Sequence, residues 1–375
     1  MNITIIQGAF FPIPPIMGGG CEKIWYRMGQ EFARAGHNVV HISRACPPVL
    51  PPENNIEGVR HVRVRGYDKS GPGWKLKIQD LLYSRRACRV IPLDSDVIIT
   101  NTFWSPILLK KKAARKLYVS VERTPKGQMR WYPSGRLRAN SVAVAEAIKN
   151  ELPAKEHHRV VMIPNALPFS ADEPVDLNAK KPVLLYSGRV HPEKGIHLMI
   201  QAMRWLENPW PLRIVGPWQA ELNGGGDDYK KSLDEMAKGL PVTFVGPVHD
   251  DDVLNGEYRS AAVFVYPSVA EKGETFGVAN VEAMAWGCAP IVSSLDCFKD
   301  FIRPKENGLI FNHRGPDAAQ NLAEAIRTLM TDTVLRQAIA RKALEVREIY
   351  SPPAVARLVL KDFASMVENQ INAKS

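Results

Sequence analysis

The sequence predicts an α/β protein built from two doubly wound domains, and three observations carry that expectation. Short Val/Ile/Leu-rich runs alternate with helical patterns along the chain. Its 375 residues exceed one ordinary core. A polar, proline-punctuated stretch without periodicity interrupts the pattern near residues 166–182.

In the first half, the apolar runs 3–7, 38–43, 97–100 and 117–121 read as buried strands. Beyond them, 160–163, 183–187, 212–215, 242–245, 263–266 and 289–292 read the same way. Continuous apolar runs suit parallel strands covered on both faces. Helical patterns fall at 22–35, 196–206, 278–286 and 318–331. Ser351-Pro352-Pro353 then opens a last helix over 354–370, since proline is well tolerated at a helix start. The expected division is a first domain over 1–168, a linker over 169–182 and a second domain over 183–350. The tail, 351–375, begins after the second domain should be complete and is expected to pack back on the first.

Composition narrows the function. Apolar residues at 45% and charged residues at 23% are globular proportions. The five cysteines are scattered without a CxxC pair, which points away from a zinc site or disulfide framework and towards a reducing compartment. The start, Met1-Asn2-Ile3-Thr4-Ile5-Ile6, reads as a first strand and not as a signal peptide. With no long apolar run, the expected location is cytoplasmic. The net charge of +10 is uneven: residues 1–170 hold 26 Lys/Arg against 12 Asp/Glu, and the remainder carries −4. Such asymmetry suits an anionic partner or a solubilising face.

Three motifs sit at strand ends. Gly18-Gly19-Gly20 follows the first strand and precedes the helix at Glu22, so backbone amides there can meet a ligand. Its spacing does not fit a dinucleotide fingerprint. Ser187-Gly188-Arg189-Val190-His191-Pro192-Glu193-Lys194-Gly195 lies between a strand and a helix, the edge where open α/β sheets bind ligands. Arg189 and Lys194 can converge on one diphosphate there, although a solvated loop accounts for their spacing equally well. The third motif runs from Pro267 to Pro290. Glu274 falls in a loop, and Glu282 falls inside the helix that starts near Gly277. The amides of Gly277 and Val278 can meet a phosphate at the positive helix end. The additional Glu271 reads as a loop charge.

Glu274 and Glu282, with seven residues between them, resemble the EX7E motif of glycosyltransferase family 4. Phe276-Gly277, Glu282-Ala283-Met284-Ala285 and Gly287 extend that match. Gly188-Arg189 with Glu193-Lys194-Gly195 is similar to the family's phosphate-gripping loop. Gly19-Gly20 with Glu22-Lys23, Ile163-Pro164-Asn165 and Asn307-Gly308-Leu309-Ile310-Phe311 resemble further family elements. The resemblance implies a GT-B fold, two Rossmann-like domains facing across a cleft, and retaining transfer of a sugar from a nucleotide-sugar. It implies that Arg189 and Lys194 neutralise the leaving diphosphate, Glu274 faces the transferred sugar and Glu282 holds the ribose. Gly19, Gly20, Phe276, Gly277, Val278 and Gly246 complete the implied donor site. No metal or other cofactor and no nucleic-acid partner is expected; the acceptor is a glycan, a lipid-linked compound or a small molecule. Glu122 stands where the family often has a histidine. It is taken as a catalytic candidate, with pairing to Arg123 or Arg130 as its other reading. The alternatives are a nucleotide-sugar 2-epimerase of the same fold and a non-catalytic protein that binds anionic surfaces. A basic set at Lys75, Lys77, Arg85, Arg86 and Arg89, and a second at Lys110, Lys111, Lys112, Arg115 and Lys116, suggest peripheral contact with an anionic membrane.

Overall fold

The structure is a computed structural model that describes residues 1–69, 71–109, 113–132 and 134–372. The chain divides into two compact units, Met1–Ser170 with Tyr350–Ser375, and Ala171–Ile349.

The first unit holds strands β1 (Asn2–Ile6), β2 (Asn38–Arg44), β3 (Glu53–Ile56), β4 (Val59–Val64), β5 (Val97–Thr100), β6 (Leu117–Val121), β7 (Arg136–Ala139) and β8 (Val160–Met162). Their order is β3-β4-β2-β1-β5-β6-β7-β8, parallel except for the β3–β4 hairpin. The second unit holds β9 (Lys181–Ser187), β10 (Leu212–Val215), β11 (Val242–Gly246), β12 (Ala261–Tyr266), β13 (Ala289–Ser293) and β14 (Leu309–Phe311). Their order is β11-β10-β9-β12-β13-β14, parallel throughout. Each sheet reverses direction once, between β1 and β5 in the first and between β9 and β12 in the second. In doubly wound sheets of this kind, ligands bind beyond the carboxyl ends of the strands at that switch point. The apolar runs are buried as the parallel arrangement requires: every residue of β5, β6, β12 and β13 is buried.

The helix Pro352–Asn372 belongs to the first unit. Its Phe363 is buried and sets its ring edge-on to Tyr118, 4.9 Å between centroids, and to Phe32, 5.7 Å. Asp362 pairs with Arg136 at 3.0 Å.

Two features differ from the sequence reading. Of the stretch expected as a linker, residues 171–182 belong to the second unit, and β9 already starts at Lys181. Glu173 pairs with Arg259 at 2.6 Å, and Val175 and Leu177 crowd the α-carbon of Gly287. These two apolar side chains, two residues apart, give the polar stretch an anchor that no periodicity announces. Strands β3, β4, β7 and β14 were not read from the sequence. In β4, polar residues turn inward: His61 is buried and stacks on His41, its register partner, with centroids 5.5 Å apart. Burial pushes the His61 imidazole down to about 4, so it stays neutral in the core.

Candidate active site

The carboxyl ends of β9 and β12 flank the point where the second sheet reverses, and both lead into the motif loops. After β9, a 3-10 turn spans Pro192–Lys194, with the His191 side chain accepting from the Glu193 amide at its start. Gly195 closes the turn with φ of 69°. A β-carbon there would run into the carbonyl oxygen of Pro267, so only glycine lets the two loops touch. The Val269 amide donates to the Glu193 carbonyl at 2.9 Å and fastens them further.

Lys194 and Glu274 meet across this seam. The ammonium donates to Glu274 Oε2 at 2.6 Å, and each side chain is only 8% exposed. Lys194 also lies 5.5 Å from the centre of the Tyr266 ring. Burial first, and the Glu274 charge next, push the Tyr266 hydroxyl well up, so it remains a neutral donor toward that carboxylate. An ammonium has three N–H donors, and Glu274 takes one. Arg189 is more open: Nη2 donates to Glu193 at 2.7 Å and Nη1 to the Asn223 carbonyl at 2.8 Å. The two cations are therefore each held by a carboxylate.

Past Glu274, Phe276 is buried and packs on Phe301 at 5.5 Å, so its ring faces the core and only its backbone can serve a ligand. Gly277, with φ of 74°, starts the helix Val278–Ala285; a β-carbon there would press on Phe298 and Asn280. Glu282, on this helix, accepts from the buried Tyr258 hydroxyl at 2.9 Å. Gly246 ends β11, and its carbonyl accepts from the Gly216 amide at 2.8 Å. The tyrosine partners of Glu274 and Glu282 were missed in the sequence; both come from strand and helix ends that periodicity marks only as core.

In the first unit, Gly19 (φ of 101°) precedes the helix Gly20–Arg34, and the Glu22 carboxyl folds back over it. Burial raises the Glu22 carboxyl above its usual range, against a bond from its own amide and the charges of Arg123 and Lys69.

Several donors converge on Glu122. It pairs with Arg138 at 2.8 Å. Oε1 also accepts from Ser120 at 2.6 Å and from Trp25 at 3.3 Å, while Oε2 accepts from Asn165 at 3.2 Å and Asn140 at 3.3 Å. A carboxylate has about four lone-pair positions, so a sugar hydroxyl would have to displace a partner. Arg138 is buried and donates onward to the Ile163 and Pro164 carbonyls and to Asn165. Glu122 thus ties together the ends of β6, β7 and β8 and the helix Gly20–Arg34. The signal for Arg138 was weak: an arginine in the four-residue run Arg136–Ala139, which does not read as a core strand.

Among the described residues, no three His, Cys, Asp or Glu side chains gather in a way that could hold a metal ion. No helix among them is long and apolar enough to cross a membrane.

Residues 170–346 match the family of glycosyl transferases group 1. Over 98% of the chain and 97% of the relative, the sequence is 25% identical to a phosphatidyl-myo-inositol mannosyltransferase of Mycobacterium leprae. The chain has the GT-B fold. Its fold is similar to that of a sucrose-phosphate synthase from Thermosynechococcus elongatus, with a TM-score of 0.77 at 21% identity and full coverage of both chains. It is also similar to Anabaena HepE in complex with UDP-glucose, with a TM-score of 0.73 at 18% identity, covering 97% of this chain and all of the other. Glu274, Glu282, Arg189 and Lys194 all fall inside the residues that match the family.

Proposed function

We propose that this chain is a glycosyltransferase that moves a hexose from a UDP- or GDP-sugar to a glycan, lipid-linked or small-molecule acceptor, with retention of configuration and with no resident metal. The observation that carries the reading is the Lys194–Glu274 pair at the reversal point of the second sheet. The loop on one side supplies cations for a leaving diphosphate, and the loop on the other supplies a carboxylate for sugar hydroxyls. Solution of Anabaena HepE with UDP-glucose supports a sugar diphosphate as the ligand class. In the proposed reaction, the leaving phosphate oxygen takes the acceptor's proton on the same face that the acceptor attacks. Negative charge then grows on the phosphate, and Lys194 and Arg189 stabilise it. A panel of UDP-, GDP- and ADP-sugars, read by nucleotide release with and without candidate acceptors, tests the proposal. Release from at least one donor is expected, and none from any would reject it.

The two EX7E carboxylates divide the work. Glu282→Ala is expected to weaken donor binding with little change in turnover, because a ribose contact is present in ground and transition states alike. Glu274→Ala is expected to lower turnover with a smaller change in affinity. Separate kcat and KM values check the split; loss of affinity alone in both variants would contradict it.

The proposed partners include an anionic membrane. The helix Gly73–Ala87 exposes Trp74 (67%), Ile78 and Leu82 at four-residue spacing, a single apolar stripe. Lys75, Lys77, Arg85 and Arg89 surround it and are exposed, whereas the helix's only acid, Asp80, is largely buried, its carboxyl raised to about 6 by burial. Arg86 turns to Tyr67 instead, and Lys116 donates to the Ser95 carbonyl, so these two are spent within the unit. Lys110, Lys111 and Lys112 lie outside the described residues. An apolar stripe rimmed by cations suits the interface of an anionic bilayer, where each cation contributes about 1 kcal/mol. Co-sedimentation with phosphatidylserine vesicles is expected, falling with salt and absent with neutral lipid. Trp74→Ala with Ile78→Ala should weaken it, and equal recovery in the supernatant with both lipids would overturn the contact.

A further inference from the structure

The loop that carries Glu274 is held from outside by a closed ring of four side chains. Glu271 lies three residues before Glu274. Its Oε1 accepts from Arg314 Nε at 2.8 Å and its Oε2 from Arg314 Nη2 at 3.0 Å. Oε1 also lies 3.1 Å from His313 Nε2. His313 Nδ1 lies 3.0 Å from Ser294 Oγ, and Arg314 Nη1 donates to that same hydroxyl at 3.0 Å. A carboxylate only accepts, so Nε2 carries the imidazole proton; Ser294 donates to Nδ1 and accepts from Arg314. Every polar atom of the ring then has a consistent role. The ring joins three segments: the loop after β12, the end of β13 and the segment after β14.

Stability does not account for this arrangement. Glu271 and Arg314 are about half exposed, and ion pairs so open to water contribute little to folding. Position accounts for it better. The Ala270 carbonyl accepts from both the Gly273 and the Glu274 amides at 3.0 Å, so residues 270–274 form one compact turn. Glu271 projects from that turn onto Arg314 and His313, while Glu274 at its far end reaches Lys194. Displacing reacting groups by about an ångström costs on the order of 10²-fold in rate.

We infer that Glu271, clamped by Arg314, His313 and Ser294, is a positioning residue that sets Glu274 against Lys194. This rests on the donor-site reading above and adds to it a group that never touches the donor. Glu271→Ala and Arg314→Ala are each expected to lower kcat by roughly tenfold or more, leaving donor affinity within about threefold. The melting temperature should shift by less than about 4 °C. The charge-exchanged pair, Glu271→Arg with Arg314→Glu, should recover part of the lost turnover. Hydrogen exchange at the amides of 270–275 supplies a readout that needs no substrate: it should accelerate in both alanine variants and slow again in the exchanged pair. Unchanged exchange in both alanine variants would overturn the clamp whether or not sugar transfer is seen. Unchanged kcat in an active enzyme would overturn it too. If the wild-type protein released no nucleotide while exchange responded as expected, the donor-site reading would fall and the clamp on the loop would stand.

Discussion

Lys194→Ala is expected to lower sugar transfer by roughly 10²–10³-fold, the loss typical of one preorganised donor to developing charge. The ammonium is almost fully desolvated beside Glu274, where each charge interaction is stronger than in water. Arg189→Ala should cost less, because Arg189 is more exposed and its interactions are screened by solvent. Removing Lys194 also leaves Glu274 without its cation, so thermal melting must accompany the kinetics. Turnover should fall far more than stability does. Wild-type turnover in a folded Arg189→Ala, Lys194→Ala double variant would remove both residues from the donor site.

The second large effect is structural. Glu122→Leu or Arg138→Met is expected to destabilise the first unit by about 3–5 kcal/mol, because each leaves the other charge buried without its partner. Replacing both should cost less than the sum. It should not be neutral, since Arg138 also satisfies the Ile163 and Pro164 carbonyls. Burial pushes the Glu122 carboxyl up, but Arg138 and the bonds from Ser120, Asn165 and Trp25 together hold it below its ordinary value of 4.5. A folded pKa below the unfolded one means stability that is complete above pH 4.5 and lost as the pH falls through the folded value. Denaturant melts of the wild type and Glu122→Leu across that range should converge at the acid end. A difference that stays constant with pH would show that the charge pair is not the source of the loss.

Much of the fold was legible because burial leaves a local trace. Val97–Thr100 and Leu117–Val121 are continuous apolar runs, and both are strands with the bounds expected of them. The strands that escaped notice break that trace. Arg136–Ala139 carries two arginines in four residues, and Val59–Val64 turns His61 and Arg63 inward. The location of the motif loops at strand ends was legible too, since strand, glycine loop and helix follow each other in the sequence. Side-chain partners were not. Glu122 meets Arg138 across 16 positions, and Glu271 meets Arg314 across 43, through strand order that no local pattern encodes. Hence neither the donors that converge on Glu122 nor the ring that Glu271 closes leaves a local trace in the sequence.

The central claim is that the loops after β9 and β12 hold a nucleoside diphosphate. Calorimetric titration of UDP, GDP and ADP into the wild type, Lys194→Ala and Glu282→Ala tests it most directly. Binding of at least one nucleotide by the wild type is expected, weaker in Lys194→Ala through loss of the phosphate contact and weaker in Glu282→Ala through loss of the ribose contact. Equal affinity in all three proteins, or no binding of any nucleotide by the wild type, would contradict it.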